Sequence, residues 1–270
     1  MGQTERRRNA LLKHCAILYQ YRDLLWLWTL REVQIRYKQS LLGIAWAVLQ
    51  PLVLALVFTA VFSRLVRVET GGIPYPVFSY VALVPWTFLT TSLTFGIASL
   101  VNNMNLVTKI YFPREILPLA SVGAALVDLM ISSAILIAML LMYGIRPGWA
   151  GLWAIPLLLL QTTLTVAVVL IGSATLVFFR DVRFVIPLLT QIWMYASPVI
   201  YPVSIVPERY SAWYFWNPMA GIIEGYRNAL LADTPPDAMS ILPGTAVTLV
   251  LLFGGYLFFK RAEPVFADLI

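Results

Sequence analysis

Apolar residues along this chain run in long unbroken stretches rather than in alternation, at about 42–63, 77–101, 116–143, 151–179, 184–201 and 240–259. A helix needs roughly 20 such residues to cross a hydrocarbon layer about 30 Å thick. The pattern predicts an all-α integral membrane protein with six transmembrane helices. The fifth stretch is the shortest, and it holds Pro187 and Pro198. A proline at membrane depth frees a backbone carbonyl that must find protein or water, since lipid offers no donor.

Two segments break the pattern. Across 22–40, Trp26, Leu30, Val33 and Tyr37 follow the i, i+4, i+7, i+11 spacing and form one apolar stripe, while Arg31, Glu32, Gln34 and Lys38 point elsewhere. This predicts an amphipathic helix lying at the headgroups, in contact with membrane lipid, with Arg22, Arg31, Arg36 and Lys38 toward anionic lipid. Membrane anchoring and a role in gating or substrate access are both open for it. Residues 202–239 are rich in proline and aromatics, as in Ser211-Ala-Trp-Tyr-Phe-Trp-Asn-Pro218, and turn helical from Ile222 to Leu231. They are too apolar for a solvated loop and too interrupted for a span, which predicts short re-entrant or interfacial helices. The resulting division is a cytoplasmic N-terminus and interface helix over 1–41, a six-span unit over 42–260 with its outer region at 202–239, and a cytoplasmic tail over 261–270.

Composition removes the soluble alternative. Of 270 residues, 60% are hydrophobic and 12% charged, and mean hydropathy is +0.80. Soluble domains carry about 25% charged residues. The net charge of +6 points to topology rather than to nucleic acid, because basic residues hold loops in the cytoplasm. With an internal N-terminus, the cytoplasmic segments collect fourteen basic residues, against five outside at Arg64, Arg67, Arg146, Arg209 and Arg227. Both termini are therefore expected inside. Arg6-Arg7-Arg8 is not followed by the apolar core and small-residue cleavage site of a secretory signal, so no cleaved peptide is expected. The single histidine, His14, adjoins the single cysteine, Cys15, and one of each makes no metal site.

Candidate chemistry is sparse. No G-x-x-x-x-G-K-[ST] phosphate loop occurs, nor a G-x-S-x-G elbow, nor an H-E-x-x-H helix. A non-catalytic chain is expected, without a cofactor or metal of its own. Asp128 is the one acid deep in a span, on a face with Ser121, Ala125 and Ser132. With no Lys or Arg inside another span to pair with it, two readings stand: a proton relay, or a hydrogen-bonded packing site. Thr87, Thr91 and Thr94 share a face of the second span. Gln191, Tyr195 and Pro198 share one of the fifth, with Trp193 also mid-span and too deep for the interfacial aromatic belt. Such rings are compatible with a sugar pathway, because a pyranose presents C–H faces to a π-cloud. Ordinary packing also accounts for them.

Four segments read together as a family. Arg36-Tyr-Lys-Gln-Ser-Leu-Leu-Gly43-Ile-Ala-Trp46 through Gln50-Pro51 resembles the start of the first span in ABC-2 type permeases that export bacterial polysaccharides. Lys109-Ile-Tyr-Phe-Pro-Arg-Glu-Ile-Leu-Pro118 is similar to their loop between spans two and three. Arg180-Asp-Val-Arg183, running to Ser197-Pro198-Val-Ile-Tyr-Pro202, is similar to their fourth junction and fifth span, and Asn217-Pro-Met-Ala-Gly-Ile-Ile-Glu-Gly-Tyr-Arg227 to the segment before the last span. The resemblance covers about residues 25–268 and is nearest to the O-antigen and teichoic acid branch. It implies a homodimer in the bacterial plasma membrane, paired with separate ATPase subunits that hold ATP and magnesium, and exporting lipid-linked O-antigen, capsular glycan or teichoic acid.

It also implies a coupling helix within 102–115, where Asn102, Asn103, Lys109, Arg114 and Glu115 are the candidate ATPase contacts. Under this reading the glycan passes between protomers along the first and fifth spans. Trp46 stands at the cytoplasmic mouth, Gln191, Trp193 and Tyr195 midway, and Tyr201, Trp213 and Trp216 at the exit. Arg31, Arg36 and Lys38 are candidates for the lipid pyrophosphate, by charge and location. A drug or small-lipid efflux permease of the same superfamily, or a membrane scaffold, remains the alternative.

Overall fold

A computed structural model of the chain describes residues 20–266 apart from Gln39, Arg67, Ile110 and Tyr111. The expectations for the first nineteen residues, His14 and Cys15 among them, and for the last four lie outside the described residues. Among those described, every regular element is a helix, and ten are α-helical. They are α1 (Arg22–Tyr37), α2 (Trp46–Phe58), α3 (Tyr75–Asn102), α4 (Met104–Lys109), α5 (Ile116–Met142), α6 (Ala154–Phe178), α7 (Val182–Tyr195), α8 (Glu208–Tyr214), α9 (Pro218–Leu231) and α10 (Ala238–Ala262).

Five segments are long and apolar enough to cross a membrane: Gly43–Ser63, Tyr75–Asn102, Ile116–Met142, Trp149–Phe178 and Ala238–Val265. The first begins as a 3-10 turn at Gly43–Ala45 and ends as a π-helical turn at Thr59–Leu65. The fifth apolar stretch differs from expectation. Its helix, α7, stops at Tyr195 after 14 residues, about 21 Å at 1.5 Å per residue, and turns follow over 196–200.

The centre of the fold is α3, which packs on α2, α5, α6, α7 and α9. Tyr80, Leu83, Leu89 and Leu93 on this helix are fully buried, so protein rather than lipid surrounds it. Helix α1 packs along α5, mainly by residues next to the apolar stripe expected at the headgroups. Thr29 is its buried residue, with Leu25, Glu32 and Arg36 part-buried on the same side, whereas Trp26 is 63% exposed and Leu30 is exposed. The inward stripe lies one position before the apolar one. The cause is polar: Arg36 and Tyr37 find hydrogen-bond partners on α5, and an unmet buried polar group costs more than an exposed leucine beside lipid.

Helix α9 is wedged among α3, α6 and α10. Asn217 begins it as N-cap, its side-chain oxygen accepting from the Met219 amide at 3.2 Å, with Pro218 at the first helical position. Gly221 is where α9 meets α10, and a Cβ there would stand 2.3 Å from the Ser240 carbonyl oxygen. Backbone cannot yield as a side-chain tip does. Gly221→Ala is therefore expected to cost at least about 1–3 kcal/mol of overpacking strain, seen as a lower melting temperature of the detergent-purified protein.

Candidate functional site

A cavity of about 380 Å³ lies between α1, the start of α2, α3 and α5. At its wall the Arg36 Nη1 donates to Asp128 Oδ2 at 2.9 Å, and Nη2 donates to the Ser121 carbonyl at 3.0 Å. The Tyr37 hydroxyl donates to Asp128 Oδ1 at 2.6 Å. The Arg36 guanidinium also lies 4.2 Å from the Phe95 ring centroid. Arg36 and Asp128 side chains are 6% and 13% exposed, a buried ion pair. Burial first, and then the bond to Asp128, push the Tyr37 phenol above its ordinary range, so Tyr37 remains a donor across the physiological range.

This pairing corrects one expectation. Asp128 does have a cationic partner, supplied by α1 rather than by a span. Ser121 and Ser132 on the expected face of α5 take part as well, since the Ser132 hydroxyl donates to the Ala47 carbonyl at 2.7 Å. Of the three cations placed at the lipid pyrophosphate, Arg36 is held by Asp128. Arg31 donates to Asn103 Oδ1 at 3.4 Å and stacks on Trp28, and Lys38 is exposed. Trp46 lines the cavity with Thr87 and Thr91, while Thr94 bonds back to the Thr90 carbonyl.

The loop between α3 and α5 carries α4 and forms a second cluster. Glu115 is 1% exposed, and Lys260 Nζ donates to its Oε1 at 2.6 Å and to Glu263 Oε2 at 2.9 Å. The Arg114 amide donates to Glu263 Oε1 at 3.1 Å, and its guanidinium bonds the Glu263 and Val107 carbonyls. Arg114 and Glu115 thus tie the loop to the end of α10, while Asn102 and Lys109 stand exposed.

The aromatic candidates separate. Trp193 faces inward, its indole N–H donating to Asn217 Oδ1 at 2.8 Å and its ring edge-on to Trp86. Gln191 and Tyr195 are exposed, and Phe184, Leu188, Ile192 and Tyr195 leave an apolar stripe of α7 uncovered. The Tyr201 hydroxyl donates to the Tyr195 carbonyl at 3.0 Å and lies 3.2 Å from that of Tyr214. Trp213 and Trp216 are exposed. These side chains thus stand in different surroundings: Trp193 against Asn217 and Trp86, Tyr201 against Tyr195 and Tyr214, and the others exposed.

The turn after α7 shows how irregular backbone is tolerated here. Asn217 Nδ2 donates to the Ala196 carbonyl, Arg227 to those of Val199 and Tyr201, and the Tyr75 hydroxyl to that of Ile200. Side chains replace the ladder that α7 no longer supplies. Arg227, counted by sequence as an outer flanking charge, is instead 4% exposed and lies 3.6 Å from the centroid of the Phe78 ring. Sequence reading missed this clamp. Its only local signal was an arginine at i+10 from an Asn-Pro helix start.

A family profile described as ABC-2 type transporter matches residues 23–231. The chain is 31% identical over 255 residues to the O-antigen export system permease protein RfbA of Myxococcus xanthus, covering 94% of this chain and 97% of that one. It is 30% identical over 250 residues to a protein of the same name from Klebsiella pneumoniae, covering 92% and 95%. To the polysialic acid transport protein KpsM of Escherichia coli it is 25% identical over 243 residues, covering 87% and 91%.

Proposed function

The chain belongs to the ABC-2 type transporter family, and from that premise we propose that it is the membrane subunit of an ATP-driven exporter of lipid-linked polysaccharide, an O-antigen or similar glycan. The observation that carries this reading is the similarity to O-antigen export permeases over almost the whole of both chains. The unit is a homodimer in the bacterial plasma membrane with both termini inside. It is served by separate ATPase subunits that hold the ATP and magnesium. Helix α7 makes the sixth and shortest crossing, and its uncovered apolar stripe, with the exposed side of α2, faces the second protomer. Glycan slides along that seam past Gln191 and Tyr195 and leaves near Tyr201, Trp213 and Trp216, held weakly at many points. Rings without charged partners suit such sliding. Lys38 and Arg31 meet the pyrophosphate at the cytoplasmic edge.

Deleting the gene tests this reading: completed lipid-linked glycan should accumulate inside the cell and vanish from the surface. Unchanged surface glycan would reject it. The purified chain alone should show no ATP turnover above background, with turnover appearing when the ATPase subunit is added.

The ATPase contact is α4 with Asn102 and Lys109, two of the exposed groups of this segment, carried on a base formed by Arg114 and Glu115. Rigid-body transmission requires contacts that differ between nucleotide states. Lys109→Glu combined with Asn102→Asp should weaken co-purification of the ATPase by about tenfold, through like-charge cost at the contact, while leaving the melting temperature of the membrane subunit unchanged.

A further inference from the structure

The cavity beside the Arg36–Asp128 pair has a chemistry of its own. Its volume of about 380 Å³ falls in the range of roughly 300–1,000 Å³ typical of small-molecule sites. Arg36 and Asp128 neutralise each other, which leaves the Glu32 carboxylate as the wall's uncompensated charge. Pyrophosphate is therefore repelled there. Glu32, Gln50 and Thr91 all line the space, and none of them has a hydrogen-bond partner among the described residues. An acyl chain seated there would strand these groups without water, at a cost for each. Trp46, at the mouth, is 52% exposed and offers an open ring face.

We propose that this cavity, within each protomer, binds one uncharged sugar unit of the substrate, with its hydroxyls on Glu32, Gln50 and Thr91 and a C–H face against Trp46. Carboxylate and amide oxygens accept from sugar hydroxyls, and the Gln50 amide donates to them. The proposal rests on the reading of the chain as a glycan exporter and adds a holding site within each protomer that opens beside the seam, since Trp46 and Gln50 lie on the exposed side of α2. The sugar would engage while the pyrophosphate remains outside at the headgroups.

The test uses the membrane subunit with its ATPase in lipid nanodiscs and saturation-transfer NMR. The probes are the single repeat-unit oligosaccharide released by mild acid from the host's surface polysaccharide, inorganic pyrophosphate, and tetraphenylphosphonium as an organic cation. The repeat unit should bind, and Gln50→Ala, Thr91→Val and Trp46→Ala should each weaken it by about tenfold, the equivalent of one stranded hydrogen bond or lost ring contact. Melting temperatures should stay at the parent value, and neither other probe should compete. Failure of the repeat unit to bind, equal binding by all three variants, or displacement by tetraphenylphosphonium would overturn the site. These outcomes are separable from the exporter reading, which stands or falls on surface glycan after gene deletion.

Discussion

Lys260→Met destabilises the protein by about 3–5 kcal/mol, the cost of leaving a buried carboxylate without its cation. Glu115 has no other ion-pair partner among the described residues: Lys260 sits 2.6 Å from its Oε1, and its Oε2 is already unpartnered. With Lys260 gone, a carboxylate 1% exposed faces the end of α10 alone. Adding Glu115→Gln to Lys260→Met should recover a large part of the loss, because an amide tolerates that site better than an unpaired charge. The double variant should therefore lose at least about 1 kcal/mol less than the two singles combined. Thermal melts of the four proteins in one detergent measure the cycle. Simple additivity would show that Lys260 serves Glu263 alone. In the complex proposed above with an ATPase the consequence reaches further, since α4 is joined through this cluster to the end of α10. A loosened cluster should leave ATP turnover in place and reduce export per ATP hydrolysed.

How far the sequence carries depends on what each feature answers to. The long spans were legible because the hydrocarbon core imposes a length: a stretch read as 116–143 forms a helix over Ile116–Met142, and one read as 77–101 forms Tyr75–Asn102. The fifth was misjudged at its end. Apolarity continues to Tyr201, but the helix stops at Tyr195, and the backbone that follows is satisfied by Asn217 and Arg227 from over twenty residues downstream. No local window contains that supply of donors. The same holds for the charges. Lys260 and Arg227 count in the sequence as markers of sidedness, an average property of loops, and Arg114 as a candidate ATPase contact. Their individual partners, Glu115, the Val199 carbonyl and Glu263, are tertiary facts. Aromatic content alone does not tell a pathway residue from a packing one. Indole and phenol serve packing and stacking equally well, and only the contact between Trp193 and Asn217 separates the two.

Arg36→Ala should release α1 from α5. Arg36 and Asp128 are 92 residues apart in sequence and are joined at 2.9 Å in a nearly closed environment, so truncating the cation strands the acid at a cost of about 3–5 kcal/mol. Tyr37→Phe removes one bond to the same carboxylate and should cost about 1.5–3 kcal/mol, the range for hydrogen bonds to charged groups. Hydrogen exchange separates local from global effects: amides of α1 should lose protection in Arg36→Ala while those of α3 keep theirs. The reversed pair, Arg36→Asp with Asp128→Arg, should regain part of the stability, since the charges remain complementary even though the Tyr37 bond is lost. The two readings of Asp128 divide here. If it packs α1 against α5, export in Asp128→Asn falls in step with α1 protection, and so does export in Arg36→Ala. If it relays a proton, Asp128→Asn abolishes export with α1 still protected. The geometry favours packing. Arg36 holds one carboxylate oxygen as a charge partner and Tyr37 donates to the other, which favours the ionised, fixed form of Asp128 that packing needs over the cycling between protonated and ionised forms that a relay needs.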